Sequence, residues 1–456
     1  MTMNRNQSFT TGGIAGPLIR FAVPVLAALF LQAMYGAVDL LVVGQFADKA
    51  DVSAVATGAH IMMTLTNLVA SLAMGATILL GQQIGEGKAK EGGATIGACI
   101  ALFGTIGVAL TALTVPGAGL LATLMQAPAH DLTAAYVRIC GMGMLVIITY
   151  NLIGSIFRGL GDSVTPLVTV AIACAVNIAG DLLLVAVLHM GAAGAAIATV
   201  AAQAVSVAIS LVLIRRKQLP FQFAREHVCF NRPLMARVIR LGLPIATSDL
   251  LVGISFLVIQ AIVNSLGVVA SAGVGVAEKV CAFIMLVPLA FSQAMSAFVA
   301  QNVGAGKYDR AVKALYTGVG LSLAVGAFMA WLSIWHGQLL GSIFSNDREV
   351  IVASADYLKA YGIDCLLTPV FFCATGFFNG FGKTRFVMAQ GILSAFCVRI
   401  PVSWLMSRRR PVSLFHIGLA TPCSSLLQIA MCAWYMVSLR RQGVFRLRIS
   451  SMDDRQ

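Results

Sequence analysis

Long apolar runs, separated by short polar connections, fill almost the whole chain. A helical run of about 20 apolar residues crosses the hydrocarbon core of a bilayer, because each residue adds 1.5 Å. We count twelve such runs, at residues 17–46, 52–81, 92–122, 133–158, 164–188, 191–215, 237–266, 271–301, 310–341, 351–380, 385–406 and 413–440. No strand-like alternation intervenes. The pattern therefore predicts an all-α polytopic membrane protein with twelve transmembrane helices.

Composition agrees with the apolar pattern. Of the 456 residues, 59% are hydrophobic and only 11% are charged, which is far from the balance of a soluble globular domain. The apolar run that begins at Phe21 is too long for the core of a cleavable signal peptide. We expect this first span to remain as a membrane anchor.

The net charge of +13 reflects basic residues in the short connections and in the tail. Most of these connections fall on one side of a twelve-helix arrangement, and the positive-inside rule makes that side cytoplasmic. We therefore expect a multi-pass protein of the cell (inner) membrane with both termini in the cytoplasm and no nucleic-acid partner. The triplet Arg408-Arg409-Arg410 falls on the opposite side, where contact with membrane lipid is one interpretation.

The most polar connection divides the chain into two halves. Residues 215–236 form a basic cytoplasmic linker between a predicted N-terminal lobe, 1–214, and a C-terminal lobe with a basic tail, 237–456. Each half contains six predicted spans. An even number of spans brings both halves into the membrane from the same side, so we expect a parallel repeat of two pseudo-symmetric six-helix lobes.

Short motifs recur between the halves at an offset of 219 to 221 residues. Three pairs occur in the same order: IRFAVP at 19–24 with IRLGLP at 239–244, GQQIGEGK at 81–88 with AQNVGAGK at 300–307, and FRGLGD at 157–162 with FNGFGK at 378–383. The glycines of the second pair fall where two spans end. Glycine tolerates the left-handed backbone with which helices commonly terminate, so their predicted role is structural.

The first span contains one acidic residue, Asp39. A carboxylate deep in a membrane costs about 2.5 to 3.5 kcal/mol on insertion scales, which makes it a candidate functional group. Tyr35 and Gln32 precede it by four and seven residues on the same helical face, and Met34 is a flexible neighbour. We predict that Gln32, Tyr35 and Met34 line a substrate cavity. A neutral Asp39 that merely bonds a neighbouring helix is the alternative.

Three further polar residues lie at a depth similar to that of Asp39. Asp181 in the fifth span follows Asn177 by one turn, and Thr199 is about eight residues inside the sixth span. Counting back from the outer ends of their spans puts both aspartates about 12 to 14 Å below the membrane surface. The second half has Ile259 and Val402 at roughly the matching positions. A carboxylate required only for packing would more plausibly recur, so this asymmetry favours a functional site.

The chain resembles the multidrug and toxic compound extrusion (MATE) family of transporters. The resemblance rests on AQNVGAGK and its first-half counterpart, on FRGLGDSVTP from Phe157 to Pro166, and on Val38-Asp39 followed by LLVVG. It implies twelve helices in two lobes with a cavity between them. It also implies export of cationic or amphiphilic compounds in exchange for protons or sodium ions.

The resemblance also suggests roles for single residues. In one branch of the family, matching residues form a cation site in the first lobe, and here they are Asp39, Asp181, Asn177 and Thr199, with Asn151 as a weaker addition. Another branch uses acidic residues of spans seven and ten, for which Asp249 and Asp364 are the second-lobe candidates. No cofactor is expected beyond the coupling ion, and no metal beyond possible sodium at the first pair.

Two other functions remain open. A lipid-linked precursor flippase of the same superfamily would need basic residues for a diphosphate, and these are scarce inside the spans. A membrane-embedded enzyme would need convergent catalytic groups, whereas the embedded polar residues are mainly carboxylates, amides and a threonine. The chain contains no Walker A motif, which disfavours ATP as the energy source. We expect a non-enzymatic antiporter that acts as a monomer on a small cationic or amphiphilic substrate.

Overall fold

The computed structural model describes residues 9–88, 91–216, 225–409 and 411–444, and within these ranges the regular secondary structure is entirely helical. Predictions that concern part of the basic linker, the third arginine of the triplet and most of the basic tail lie outside the described residues.

The predicted number of spans is confirmed. Among the described residues, eleven helical segments are long and apolar enough to cross a membrane. A twelfth consists of His130–Met142 and Met144–Gly159, which meet at an angle of 56° beside Gly143. Gly143 is the single residue between these two helices.

The described chain groups into two units, each with its own core. The first unit contains Val23–Ala246. Its core includes Leu79, Phe103, Met144 and Phe157. The helices of this unit are α1 (Ala15–Phe46) from Val23 onward, α2 (Lys49–Gly85), α3 (Gly92–Leu124), α4 (His130–Met142), α5 (Met144–Gly159), α6 (Val164–Asp181), α7 (Gly191–Arg216) and the start of α8 (Arg232–Asn264).

The second unit contains Phe9–Ala22 and the described residues from Thr247 onward. After α8, its helices are α9 (Val268–Ile284), α10 (Leu286–Gly304), α11 (Tyr308–Trp335), α12 (Gly337–Ser342), α13 (Arg348–Gly380), α14 (Thr384–Ser394), α15 (Ile400–Ser407), α16 (Leu414–Gly418) and α17 (Ala420–Arg441). The central helix is α13, which packs on α9, α10, α11 and α17.

The repeated glycine motifs form matching helix ends. Helix α2 ends at Gly85 and α10 at Gly304, and two residues later Gly87 and Gly306 have φ angles of +73° and +70°. The amide of the following lysine then donates to a carbonyl five residues back, at 3.0 Å in the first motif and 2.8 Å in the second. Because this geometry terminates a helix and favours glycine, the predicted structural role of these glycines is confirmed.

The fifth and eleventh spans share another irregularity. After α6, residues Leu182–Val187 form a π-helix, and after α14, residues Ala395–Arg399 form another. A π-helical turn widens the backbone and re-aims the side chains next to it, and such turns are frequent at functional sites. Asp181 directly precedes the first π segment, Arg399 is the last residue of the second, and both side chains are buried.

Candidate functional site

Asp39 and Thr199 meet in the interior of the first unit. Asp39 lies on α1 and Thr199 on α7, and their side chains are only 6% and 8% exposed. The Thr199 hydroxyl Oγ1 donates to the Asp39 carboxylate Oδ2 across 3.3 Å. This contact engages one carboxylate oxygen, Oδ2, and leaves Oδ1 without a hydrogen-bond partner among the described residues.

Helix α6 supplies the other two polar groups of the site. Asn177 and Asp181 are one turn apart near its end, and both are completely buried. The Asp39 carboxyl group interacts with the side chains of both residues as well as with Thr199. The structure therefore brings all four principal residues of the predicted first-lobe site together.

The site contains more polar atoms than it has internal partners for. Within the described residues, Oδ1 of Asp39, both carboxylate oxygens of Asp181 and both polar atoms of the Asn177 amide are buried without a hydrogen-bond partner. Neither carboxylate forms an ion pair with a described basic residue. Buried polar groups normally have partners, and a buried pair of carboxylates requires positive charge nearby.

The chemistry of the donors limits what can bind there. Carboxylate and amide oxygens suit hard cations, and a carboxylate also accepts a proton. Two carboxylates in one enclosed space repel each other unless a cation or a proton lies between or upon them. These residues fit a sodium ion or a proton, and they offer no basic group to an anion.

The three predicted cavity residues lie on the same helix as Asp39. Gln32 is exposed, and its Nε2 donates to the Tyr150 hydroxyl across 3.3 Å. Tyr35 is half-buried beside Gln203 and interacts electrostatically with Asp39. Met34 is exposed. Polar groups therefore continue along α1 from the carboxylate pair to an accessible surface of the unit.

Several neighbours of the carboxylates were not predicted as site residues. Tyr136 and Cys140 of α4 are buried, and both interact electrostatically with Asp39. Their spacing of four residues places them on one helical face, which was the available signal. Asn151, in contrast, donates its side-chain amide to the carbonyl of Ile147 at 2.8 Å, within its own helix.

The two second-lobe candidates have different surroundings. Asp364 of α13 is buried, and the Thr368 hydroxyl lies within donating distance of both its backbone carbonyl, at 2.7 Å, and its carboxylate Oδ2, at 3.0 Å. Asp249 of α8 is exposed.

A family model, MatE, matches the chain twice, at residues 24–183 and 244–405. The two matches begin 220 residues apart, since 244 minus 24 is 220, in agreement with the offset of the repeated motifs. Together they cover more than half of the chain, and each match falls in a different half.

Curated relatives match over most of their length. The chain is 24% identical over 439 residues to the probable multidrug resistance protein YoeA of Bacillus subtilis, and the alignment covers 94% of each protein. It is 24% identical over 412 residues to the probable multidrug resistance protein NorM of Thermotoga maritima, covering 88% of this chain and 86% of that protein.

Solved structures show the same fold. A crystal structure of a MATE protein in the straight conformation superimposes with a TM-score of 0.90 at 17% identity, covering 97% of this chain and 99% of that one. A MOP superfamily transporter from Pyrococcus furiosus superimposes with a TM-score of 0.88 at 18% identity, covering 96% and 99%.

Proposed function

Because the chain belongs to the MatE family of multi-pass membrane transporters, we propose that it is a secondary antiporter coupled to protons or sodium ions. It exports cationic or amphiphilic organic compounds and is not an enzyme. Its coupling site is the first-lobe group of Asp39, Asp181, Asn177 and Thr199. In this respect it resembles the branch of the family with its cation site in the first lobe.

One observation carries this proposal: two buried carboxylates share a site without an internal counter-cation. Asp39 and Asp181 interact while most of their oxygens have no partner among the described residues. Two such charges are costly in an apolar interior unless a cation or a proton accompanies them. A cation or a proton must therefore offset the negative charge of this site, and a membrane gradient can supply either one.

The same pair can couple an ion to an organic cation. An ion-free, anionic site attracts a cationic substrate, whereas a protonated or sodium-loaded site attracts it less. Two ligands that change each other's affinity do so reciprocally, so ion entry favours substrate release. Gln32, Tyr35 and Met34 line the substrate path in this proposal, and their mixed polar and flexible surface suits varied amphiphiles.

We place the protein in the cell membrane as a monomer with both termini in the cytoplasm. The distribution of basic residues supports this orientation. Membrane lipid surrounds the apolar helices, and Arg408, whose guanidinium lies 5.1 Å from the centre of the Trp404 ring, suits the interface with lipid headgroups.

Transport in proteoliposomes tests the proposal. Efflux of a fluorescent organic cation is followed while a proton gradient and a sodium gradient are imposed separately. We expect one of the two gradients to drive efflux, and Asp39→Asn to abolish the driven component.

The matched control is Asp51→Asn. Asp51 accepts a hydrogen bond from the Ala192 amide across 2.8 Å at the start of α7, outside the carboxylate pair, and asparagine can still accept that bond. This variant should retain driven efflux. The proposal fails if neither gradient changes efflux, or if folded Asp39→Asn protein responds like the parent. Movement of a labelled lipid precursor in place of the cation would support the flippase alternative.

A further inference from the structure

The second unit contains a cavity of about 670 Å³ beside the start of α1. One wall is residues 12–15, which lead into α1, and another is residues 306–310, which connect α10 to α11. All of these residues belong to the second unit. Because α1 and α11 both begin here, the cavity lies where two membrane spans meet the aqueous phase.

Three basic side chains line this cavity without anionic partners. They are Lys307, Arg310 and Lys313, and Asp309 is the acidic side chain among the described lining residues. None of the three cations forms an ion pair among the residues that the structure describes. Three positive charges and one negative charge give the lining a net charge of +2.

Arg310 is half-buried, and its hydrogen bonds go to neutral acceptors. Its guanidinium donates to the backbone carbonyls of Phe9 and of residues 11–13. The guanidinium carbon also lies 5.5 Å from the centre of the Phe298 ring. These contacts fix the position of the guanidinium and leave its charge uncompensated, because carbonyl groups and aromatic rings have no net charge. Arginine stays protonated in proteins, so this wall of the cavity carries a permanent positive charge.

The two lysines have donors available for a ligand. Lys307 is exposed and donates to the Thr10 carbonyl across 2.8 Å. An ammonium group has three N–H donors, so this hydrogen bond leaves two of them. Lys313 is exposed, and it follows Arg310 by three residues on the same face of α11. Both ammonium groups can therefore turn towards an anion in the cavity.

The lining suits a phosphate group that is attached to an apolar body. Ammonium and guanidinium groups form charge-assisted hydrogen bonds to phosphate oxygens. Ile14, Ala15 and the Tyr308 ring add apolar surface to the same cavity. Its volume falls within the range of about 300 to 1,000 Å³ of sites for organic ligands, and inorganic phosphate would leave most of it unfilled. A phospholipid at the end of a membrane span offers both the phosphate and the apolar body.

We propose that this cavity binds the phosphate group of an anionic phospholipid, with Lys307, Arg310 and Lys313 as its cationic contacts. A soluble phosphate compound shares this recognition chemistry, so its binding has to be measured separately. The site is separate from the carboxylate pair of the first unit and does not depend on the ion or the substrate of the proposed transport. Bound lipid would tie the segment before α1 to α11.

Native mass spectrometry of the full chain in a neutral detergent tests this inference. The probes are phosphatidylglycerol, phosphatidylcholine with the same acyl chains, and inorganic phosphate, each titrated separately. We expect phosphatidylglycerol to bind at least several-fold more tightly than phosphatidylcholine, because the choline group adds a positive charge that the lining repels. Binding of inorganic phosphate together with weak binding of phosphatidylglycerol would overturn the lipid assignment and identify a soluble phosphate compound.

Two substitutions should change the affinity for phosphatidylglycerol in opposite directions. Lys313→Gln should raise the dissociation constant about fivefold, which is the effect of one basic residue near an anionic lipid. Asp309→Asn removes the negative charge of the lining and should lower the dissociation constant by a similar factor. Both side chains are exposed, so both variants should fold. Arg385→Gln is the control, because Arg385 is exposed on α14 outside the cavity and its loss should leave the affinity unchanged.

The opposite responses separate anion recognition from structural damage, since a damaged cavity would bind more weakly in both variants. Equal affinities for phosphatidylglycerol and phosphatidylcholine would overturn the inference, as would unchanged affinity in Lys313→Gln. An equal loss of affinity in Arg385→Gln would also overturn it, because that result would show general attraction between anionic lipid and a basic protein. Failure of ion-driven efflux would not affect these outcomes, since the binding measurement involves no transport.

Discussion

The hydroxyl of Thr199 donates to the carboxylate of Asp39 across 3.3 Å, although 160 residues separate them in the chain. This bond joins α7 to α1 beside Asn177 and Asp181 of α6. Three helices of the first unit therefore converge on one carboxylate. A hydrogen bond to a carboxylate stabilises its charged form, and Thr199 thereby favours the state that attracts a cation.

We expect Thr199→Ala to weaken ion coupling without abolishing it. A hydrogen bond to a charged group contributes about 1.5 to 3 kcal/mol, so its loss should change the apparent ion affinity by about tenfold or more. Sodium, which needs the charged carboxylate, should bind more weakly, whereas a proton should bind more tightly because the charged form has lost stabilisation. The measurement is the ion concentration that gives half-maximal efflux. Thr199→Ser keeps the hydroxyl and should return the apparent affinity most of the way to that of the parent. Ser206→Ala is the control, because Ser206 lies on the same helix and donates to the Thr169 carbonyl instead.

The two aspartates should act as one unit. If Asp39 and Asp181 share a single ion, Asp39→Asn and Asp181→Asn should each remove driven efflux. The double variant should then be no worse than either single variant, since groups that act together give non-additive losses. Intermediate rates in the single variants that multiply in the double variant would show two independent ion sites.

The turn between α5 and α6 should depend on Asp162. Its Oδ1 accepts from the amides of Val164 and Thr165 at 3.1 and 3.0 Å, and its Oδ2 accepts from the Thr165 hydroxyl at 2.6 Å. Because these bonds satisfy amides at the start of α6, Asp162→Ala should lower the free energy of unfolding by about 1 to 2 kcal/mol.

Denaturant unfolding in detergent measures this loss. Asp162→Asn retains an acceptor oxygen and should cost less. The exposed Asp309, in the first turn of α11, provides a comparison, and Asp309→Ala should change stability little. Equal losses for Asp162→Ala and Asp309→Ala would contradict the capping role.

Hydropathy and helical spacing predict much of this architecture because the bilayer limits what a membrane-spanning segment can be. A span must be long, apolar and helical. Helices commonly end at glycine, and here Gly87 and Gly306 adopt the left-handed backbone just after two helices end. Depth counting likewise anticipates that Asp39 and Asp181 share a level, since each helical residue advances the chain by a fixed distance.

Hydropathy and helical spacing do not predict which distant segments come into contact. The two π segments have no sequence signature, because widening a helical turn by one residue depends on the packing around it. The packing of α4 residues against Asp39 and of Arg399 against α8 depends on how helices rotate against each other. Hydropathy sets the length of a span and leaves its rotation open. The spacing of Tyr136 and Cys140 shows that they share a helical face but not that this face meets Asp39, and nothing in the sequence indicates that Arg399 donates to Ser255.

Close packing of α10 and α13 should depend on Gly376. A methyl group added there would meet the backbone carbonyl of Ser292 and approach Met295 Cβ at 3.0 Å. Because backbone cannot move aside cheaply, Gly376→Ala should destabilise the protein by about 1 to 3 kcal/mol. Gly275→Ala is the control, because nothing lies within 4 Å of its added methyl group. Thermal unfolding in detergent compares the two variants, and equal midpoints would argue against close packing at Gly376.

Arg310 should hold the segment that precedes α1. Its guanidinium donates to the carbonyls of Phe9, Thr11, Gly12 and Gly13 at distances between 2.6 and 3.0 Å. The segment also has an apolar anchor, since the Phe9 ring packs against that of Phe298 with centroids 5.1 Å apart. The Arg310 side chain thus supplies donors to most backbone carbonyls of residues 9–13, which are not part of a regular helix.

Removing the guanidinium with Arg310→Gln should loosen this segment while the helices remain intact. Hydrogen exchange measures the effect, and amides of residues 9–14 should exchange at least several-fold faster, because local opening no longer breaks four charge-assisted hydrogen bonds. Lys313→Gln removes an exposed positive charge from the same helix and should leave exchange at the parent rate. Faster exchange in both variants would indicate a general effect of charge. Unchanged exchange in Arg310→Gln would show that the other contacts hold the segment, namely Phe9 packing and the hydrogen bonds from Asn302 to Phe9 and from Lys307 to Thr10.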